Sequence, residues 1–306
     1  MLTKKKPKIL ITGGAGFIGR HLSLCDEFVK RKWDVRVYDI AINPMDDVMN
    51  VQRLMSVLLD EEIGGIIHLA ACSRVKWGHE YPDWCTKVNV CGTLNVLQAA
   101  AEIGVMRRPS PFVLVASSRE VYGNEYAEED RANEYSPLRP MNVYASTKVM
   151  EENLSYSFYK NYGVLGGVVR FGGVYTSKFD HKDRVIPKFI GQAFRGEKIT
   201  VNGNVKLPFI YIDDTVNALR KVIKRYLGGS DAHDNYLIAT NQTVELYELA
   251  ELICQKTKSK SKIEVGDYRH YDVDQFYADP HLTYNKLKWE PEYDISSGLN
   301  ASIRSL

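Results

Sequence analysis

Residues 8–39, KILITGGAGFIGRHLSLCDEFVKRKWDVRVYD, read as strand, glycine turn, helix and second strand. Ile9, Leu10 and Ile11 form the short apolar run that a buried parallel strand needs. Gly13, Gly16 and Gly19 follow at three-residue spacing. They let the chain turn tightly, let backbone N–H groups approach a pyrophosphate, and let a helix starting near Phe17 pack against the strand. A phosphate then sits at the positive end of that helix. The second strand, 35–38, ends at Asp39, 20 residues beyond Gly19. A carboxylate there accepts hydrogen bonds from an adenine ribose and repels a 2′-phosphate, so the pattern favours NAD over NADP. Any punctuated turn can show spaced glycines; strand, helix, second strand and terminal Asp in register make this turn specific.

The 306 residues, 44% of them apolar, suffice for a large core in one large or two closely joined domains. A net charge of +2 leaves no strong field for a polyanion. The short basic clusters at 4–8 and 256–262 read as a solvated terminus and a solvated helix end or loop, so no nucleic-acid partner is expected. No apolar run approaches the ~18 residues of a membrane span, and the N-terminus lacks the apolar core of a signal peptide, which points to a cytoplasmic protein with no membrane partner. The five cysteines are odd in number and lack Cys-x-x-Cys spacing, so free, mostly buried thiols and no metal site are expected.

Beyond Asp39 a turn-rich link reaches Asp47-Val48, where Asp47 either caps a helix over 51–59 or hydrogen-bonds an adenine amino group; composition favours the cap. GIIHLAA (65–71) is another buried strand, closed by small residues at the carboxyl end where open α/β sheets hold ligands. His68 within it reads as a satisfied core histidine. A helix over 83–103 follows, with Asn89 placed to bond the backbone of the neighbouring strand. The strand 112–116 runs into Ser117, Ser118, Arg119 and Glu120, which brings a hydroxyl and a carboxylate to the cofactor edge. Tyr144 and Lys148 stand four apart near the start of a helix and share its face, so the ammonium lies beside the phenol, lowers its pKa and prepares it for proton exchange. After a strand at 168–171 the elements shorten. Helices are expected over 185–195, 213–226 (capped by Asp213 or Asp214) and 245–256, with strands at 199–201, 209–212, 236–239 and 263–265. The fold class is α/β, a Rossmann doubly wound parallel sheet with a smaller mixed α/β substrate-binding part. Residues 1–171 form the first unit; 172–306 form mainly the second, with some segments returning to the sheet.

In order, TGGAGFIG from Thr12, HLAA from His68, VNVCGTLNVLQAA from Val88, SSREVYG from Ser117, YASTK from Tyr144, FIYIDD from Phe209 and LKWEPEY from Leu287 span nearly the whole chain. Together they resemble the extended short-chain dehydrogenase/reductase superfamily and, within it, the nucleotide-sugar epimerase/dehydratase family. The resemblance implies NAD as cofactor, held by Gly13, Gly16, Phe17, Ile18, Gly19, Asp39, Asp47, Val48, Leu69, Ala70, Ala71, Tyr144 and Lys148. It makes Asp47-Val48 the adenine pair, which reverses the capping preference, and Asn89 a structural helix asparagine. It also implies Tyr144 as acid/base, Lys148 on the nicotinamide ribose and Ser118 on the reacting oxygen. The partner is then a nucleotide-diphosphate sugar, contacted by Ser73, Ser118, Arg119, Glu120, Lys206 and Arg269, and the assembly a homodimer built on the helices around Asp83 and Tyr144.

The implied chemistry is a transient 4-keto sugar. Reduction from its other face is 4-epimerisation, the leading expectation; removal of the acidified C5 hydrogen opens 4,6-dehydration, with Glu120 at the position of the C5 base. Arg119 stands where dehydratases carry an acid, and a guanidinium donates no proton near neutral pH. Further departures are Gly173 where relatives have Asn, Thr176 where they have Gly, and Leu207-Pro208 in place of Arg-Asp; Lys206 or Arg184 substitutes for the missing phosphate-binding Arg. Arg269 matches a late phosphate-binding Arg and is followed by His270 where relatives have Pro. Two other readings are a dehydrogenase or reductase of a non-sugar alcohol, distinguished by net NAD(P)H consumption, and a catalytically silent NAD-binding scaffold, which has no chemical need for Ser118, Tyr144 and Lys148 together.

Overall fold

The computed structural model describes residues 6–305, apart from 31, 108, 177 and 204; Lys4 and Lys5 of the expected solvated terminus lie outside the described residues. In chain order the strands are β1 (Lys8–Thr12), β2 (Asp34–Tyr38), β3 (Gly65–His68), β4 (Phe112–Ser118), β5 (Gly166–Phe171), β6 (Gly173–Tyr175), β7 (Ile199–Asn202), β8 (Lys206–Leu207), β9 (Phe209–Tyr211), β10 (His233–Ile238), β11 (Val244–Glu245) and β12 (Ile263–Gly266). Six of them make one parallel sheet in the order β10-β5-β4-β3-β1-β2. The chain steps outward from β1 to β2 and then returns to the other side of β1 as β3, which puts the topological switch between β1 and β3.

The apolar runs are continuous because both faces of the sheet are covered. Ile9, Ile11, Ile67, Leu114 and Val169 belong to one core, whereas Leu10, Ile66, Val113 and Val115 belong to a second on the opposite face. The two-residue period of a strand thus sends neighbouring side chains into separate cores. Leu54, Val57 and Leu58 from helix Val51–Asp60, with Val96, Leu97 and Ile103 from helix Gly92–Met106, cover the second face. Each fully buried Ile or Leu contributes about 1.5–3 kcal/mol.

The register aligns Thr12 with Tyr38 and His68, and Ser118 with Phe171, so the carboxyl ends of five strands meet along one edge. Over that edge lie the short pairs β6 with β9, β8 with β11, and β7 with β12. The strand expected at 236–239 starts earlier, as β10, and pairs in parallel with β5.

Several local expectations change. The helix expected over 83–103 is three segments: Pro82–Thr86, a π-helical turn Lys87–Cys91, and Gly92–Met106. The turn frees Asn89 to work sideways: its Oδ1 accepts from the Cys72 N–H at 2.7 Å, and its Nδ2 donates to the Cys72 carbonyl at 3.2 Å and to Thr147 Oγ1 at 2.8 Å. Helix Val51–Asp60 is capped by Asn50, not Asp47, whose carboxylate accepts from the Met49 N–H in a local turn. Helix Ile212–Leu227 has no side-chain cap; Asp214 instead accepts from the N–H groups of Glu292 and Tyr293 and pins the C-terminal segment. Among the described residues, no helix is long and apolar enough to cross a membrane.

Candidate active site

The glycine turn is shaped by close backbone approach. Gly13 has φ +65°, and a Cβ on it would stand 2.6 Å from the Ala70 nitrogen at the end of β3. A Cβ on Gly19 would stand 2.6 Å from the Gly14 Cα, so the helix can lie against the turn only without one. Helix Phe17–Ser23 starts at Gly16 with no side-chain cap, leaving first-turn N–H groups for an anion. Asp39 closes β2 beside this turn. Its Oδ2 accepts from the Ala15 N–H at 2.9 Å and its Oδ1 from the Ala41 N–H at 2.8 Å, and each oxygen keeps a lone pair for a ribose hydroxyl.

The other end of the site is built on β4 and on helix Val143–Tyr162, which Asn142 caps by accepting from the Ala145 N–H at 2.8 Å. Strand alternation gives the two serines different work. Ser117 donates to the buried Glu152 at 2.5 Å, and the same carboxylate takes a bidentate pair from Arg170 at 2.9 and 2.7 Å, locking β4, β5 and the helix together. Ser118 Oγ accepts from the Glu120 N–H at 3.2 Å and stands close enough to the Tyr144 hydroxyl to favour its phenolate.

Tyr144 is 8% exposed. Burial pushes its phenol above the ordinary tyrosine value; the Lys148 ammonium pulls it down, Glu151 and Glu120 push it further up, and Ser118 favours the phenolate. The lowered phenol expected from Tyr-Lys spacing is therefore reversed, because loss of hydration outweighs the cation. Lys148 donates to the Ala116 carbonyl at 2.9 Å and to Glu151 at 3.1 Å. Burial works against its charge, but the Glu151 carboxylate prevails and holds the ammonium above the usual lysine value.

Glu120 is the second residue of a short 3-10 turn, Arg119–Tyr122, and is itself buried. Arg119 Nη2 lies 2.8 Å from one carboxylate oxygen, and Asn142 Nδ2 donates to the other at 3.2 Å. Burial pushes Glu120 above the ordinary carboxylate range, with Arg119 and Asn142 opposing it. The residue stands beside Ser118 as a basic carboxylate and is at the same time tied to a cation.

A cavity of about 1250 Å³ runs between the sheet edge and the smaller part. Gly13, Gly16, Phe17, Ile18, Gly19, Asp39, Asp47, Val48, Leu69, Ala70 and Ala71 line one end; Ser73, Ser118, Arg119, Glu120, Tyr144, Lys148 and Arg269 line the other. Lys206 falls outside this lining, its ammonium 4.0 Å from Glu245, whereas Arg184 lines the cavity and donates to Asp180 at 3.3 Å. His68 is a core histidine: its ring nitrogens lie 2.7 Å from Thr12 Oγ1 and 3.0 Å from Thr93 Oγ1, and burial pushes its pKa down to about 3.

Several residues at this site carried no sequence signal. Arg74 reaches across the cavity in a bidentate pair with Asp183 at 2.9 and 3.0 Å, and Trp77 packs edge-on against Trp84 and His181 near it. Glu151 lies under Lys148; the three-residue spacing between them in KVMEE was its only trace.

The sequence model of the NAD dependent epimerase/dehydratase family matches residues 9–239. UDP-glucuronic acid decarboxylase 1 of Danio rerio is 28% identical over 98% of this chain and 73% of its own length. dTDP-D-glucose 4,6-dehydratase of Mus musculus is 28% identical over 97% of this chain and 87% of its own. Among solved structures, MoeE5 in complex with UDP-glucuronic acid and NAD superposes with a TM-score of 0.84 at 26% identity, covering 98% of this chain and all of that one.

Proposed function

The chain belongs to the NAD-dependent epimerase/dehydratase family, and from that premise we propose that it modifies a nucleotide-diphosphate sugar through a transient 4-keto sugar, with 4-epimerisation as its reaction. The observation that carries the reading is the convergence of Ser118, Tyr144 and Lys148 on a cavity whose far end is the glycine turn and Asp39. That end suits NAD: a tight turn with unclaimed N–H groups for the pyrophosphate, and a carboxylate with spare lone pairs for the ribose. When bound, NAD supplies the hydride chemistry.

The residues of the chain handle the proton and the developing charge. Tyr144 as phenolate takes the proton of the C4 hydroxyl, and Ser118 donates to the same oxygen as its charge grows. Lys148 keeps an ammonium against the pair and favours the phenolate. Tyr144 then returns its proton to the oxygen on the reduced carbon. Arg119 speaks for epimerisation over elimination, because its guanidinium cannot protonate a leaving hydroxyl. The buried, basic Glu120 beside Ser118 favours a second reading, proton removal at C5 leading to 4,6-dehydration.

Exposed Trp84, Leu94 and Met150, on the helices around Asp83 and Tyr144, support a homodimer through those helices, and the free cysteines suit a cytoplasmic setting. Incubation of purified protein with UDP-, dTDP-, GDP- and CDP-sugars, with products identified by mass and NMR, tests the function. One sugar epimerised at C4 without net NADH supports it; a product lacking the C6 hydroxyl selects the second reading, and no conversion of any nucleotide sugar rejects both.

A further inference from the structure

Helix Val143–Tyr162 places Tyr144, Lys148 and Glu151 at positions i, i+4 and i+7, one face of two helical turns. Two glutamates follow Lys148, and they do different work. Glu152 is consumed by Arg170 and Ser117, and so ties strands to the helix. Glu151 turns instead to the Tyr144–Lys148 pair: it is 1% exposed, and its carboxylate oxygens lie 3.0 and 3.1 Å from Lys148 Nζ. Thr93, whose Oγ1 stands 3.0 Å from His68 Nε2, is close enough to Glu151 to favour its carboxylate. A line of polar groups thus runs from the Tyr144 phenol through the ammonium and the carboxylate into the core.

We propose that Glu151 is a positioning residue for the Tyr144–Lys148 pair, a buried carboxylate that anchors the ammonium and sets the charge against which Tyr144 gives up its proton. This rests on the reading of Tyr144 as the acid/base. With Glu151 ionised, Lys148 and Glu151 sum to zero, and forming the phenolate leaves a net buried negative charge. Without that carboxylate, the phenolate and ammonium neutralise each other and the pair releases its first proton more easily. Glu151 therefore favours the protonated phenol in the cofactor-free protein, and Tyr144 must release that proton before it can accept one from the sugar. Burial pushes Glu151 itself up to about 7, against the lowering pull of the Lys148 ammonium.

The ionisable groups facing this centre are Lys148, Tyr144 and Glu152 on its own helix, His68 on β3, Cys72 after it, Cys85 on helix Pro82–Thr86, and Glu120 on the turn after β4. His68 is neutral above about pH 3 and so supplies no variable charge, and Glu152 is paired with Arg170 at 2.7 Å.

The test is a pH titration of the Tyr144 Cζ resonance in full-length, cofactor-free protein with labelled tyrosine, the signal being assigned by its loss in Tyr144→Phe. Glu151→Gln keeps the shape and removes the charge; the Tyr144 midpoint should move down by about one pH unit. Glu151→Met, of similar length and also uncharged, should move the midpoint the same way, which keeps a readout if Glu151→Gln does not fold. A midpoint that stays in place or rises in whichever variant folds overturns the proposal. The titration needs neither sugar nor cofactor, so its failure is separate from failure to find a substrate.

Discussion

Substituting alanine at Gly13 separates the packing demand of the glycine turn from its conformational demand, because Gly163 offers a matched control. Both have positive φ, +65° and +68°. A Cβ at Gly163 meets nothing within 4 Å, whereas at Gly13 it would stand 2.6, 2.7 and 2.8 Å from backbone atoms of Ala70 and Leu69. Placing a non-glycine residue in the left-handed region costs about 1–2 kcal/mol, and both variants carry that term. Gly13→Ala adds an overpacking cost of about 1–3 kcal/mol, since backbone atoms rather than a flexible side-chain tip must give way. The expected totals are about 1–2 kcal/mol for Gly163→Ala and about 2–5 kcal/mol for Gly13→Ala. At about 2–4 °C per kcal/mol, Gly13→Ala should lower Tm by about 4–20 °C and Gly163→Ala by about 2–8 °C. Isothermal titration with NAD gives the second readout. Displacing the turn should weaken NAD at least about tenfold, a loss of about 1.4 kcal/mol, and Gly163→Ala should leave it unchanged. Equal melting and equal NAD affinity for the two variants would refute the close-approach account.

Glu120→Gln should spare C4 epimerisation and abolish any exchange of the C5 hydrogen in deuterated water; mass analysis of recovered sugar showing unchanged C5 deuterium in the variant would dismiss Glu120 as a base. Asp39→Asn keeps one acceptor oxygen for the Ala15 or the Ala41 N–H, gives up the other bond, and removes the charge that repels a 2′-phosphate. Its preference for NAD over NADP in binding assays should fall, and an unchanged ratio would count against that role. Glu27 is buried, which raises its pKa, but Arg220 and Lys224 outweigh this and hold it at about 2, below the ordinary 4.5. The stability it contributes is therefore present above pH 4.5 and lost as pH falls towards 2. Glu27→Gln should flatten that part of a chemical-denaturation pH series, and a slope identical to wild type would contradict the pairing.

The sheet was legible where one residue type answers one physical need. Only apolar runs suit strands covered on both faces, and only glycine fits at Gly13 and Gly19, so β1, the turn and β2 could be read together. Ser118, Tyr144 and Lys148 were readable through their order along the chain, since each lies at the carboxyl edge that parallel topology defines. Choices among chemically equal neighbours were not readable. Asp47 and Asn50 can both cap a helix, and only the path of the backbone selects Asn50. Asp214 looks like a cap and instead holds residues 78 and 79 positions away. Ser117 and Ser118, or Glu151 and Glu152, differ only in which way the strand or helix faces. The direction of the Tyr144 shift depends on burial, which spacing does not reveal.

Oxidation and reduction at C4 of one bound nucleotide sugar, with Tyr144 moving the proton, can be followed with a substrate carrying deuterium at C4. Wild-type enzyme should return the deuterium to C4 of the inverted product with no net reduced cofactor, and Tyr144→Phe should bind NAD yet leave the sugar unchanged. Deuterium accumulating in reduced cofactor, deuterium delivered to C6, or turnover by Tyr144→Phe within a few-fold of wild type would contradict the account.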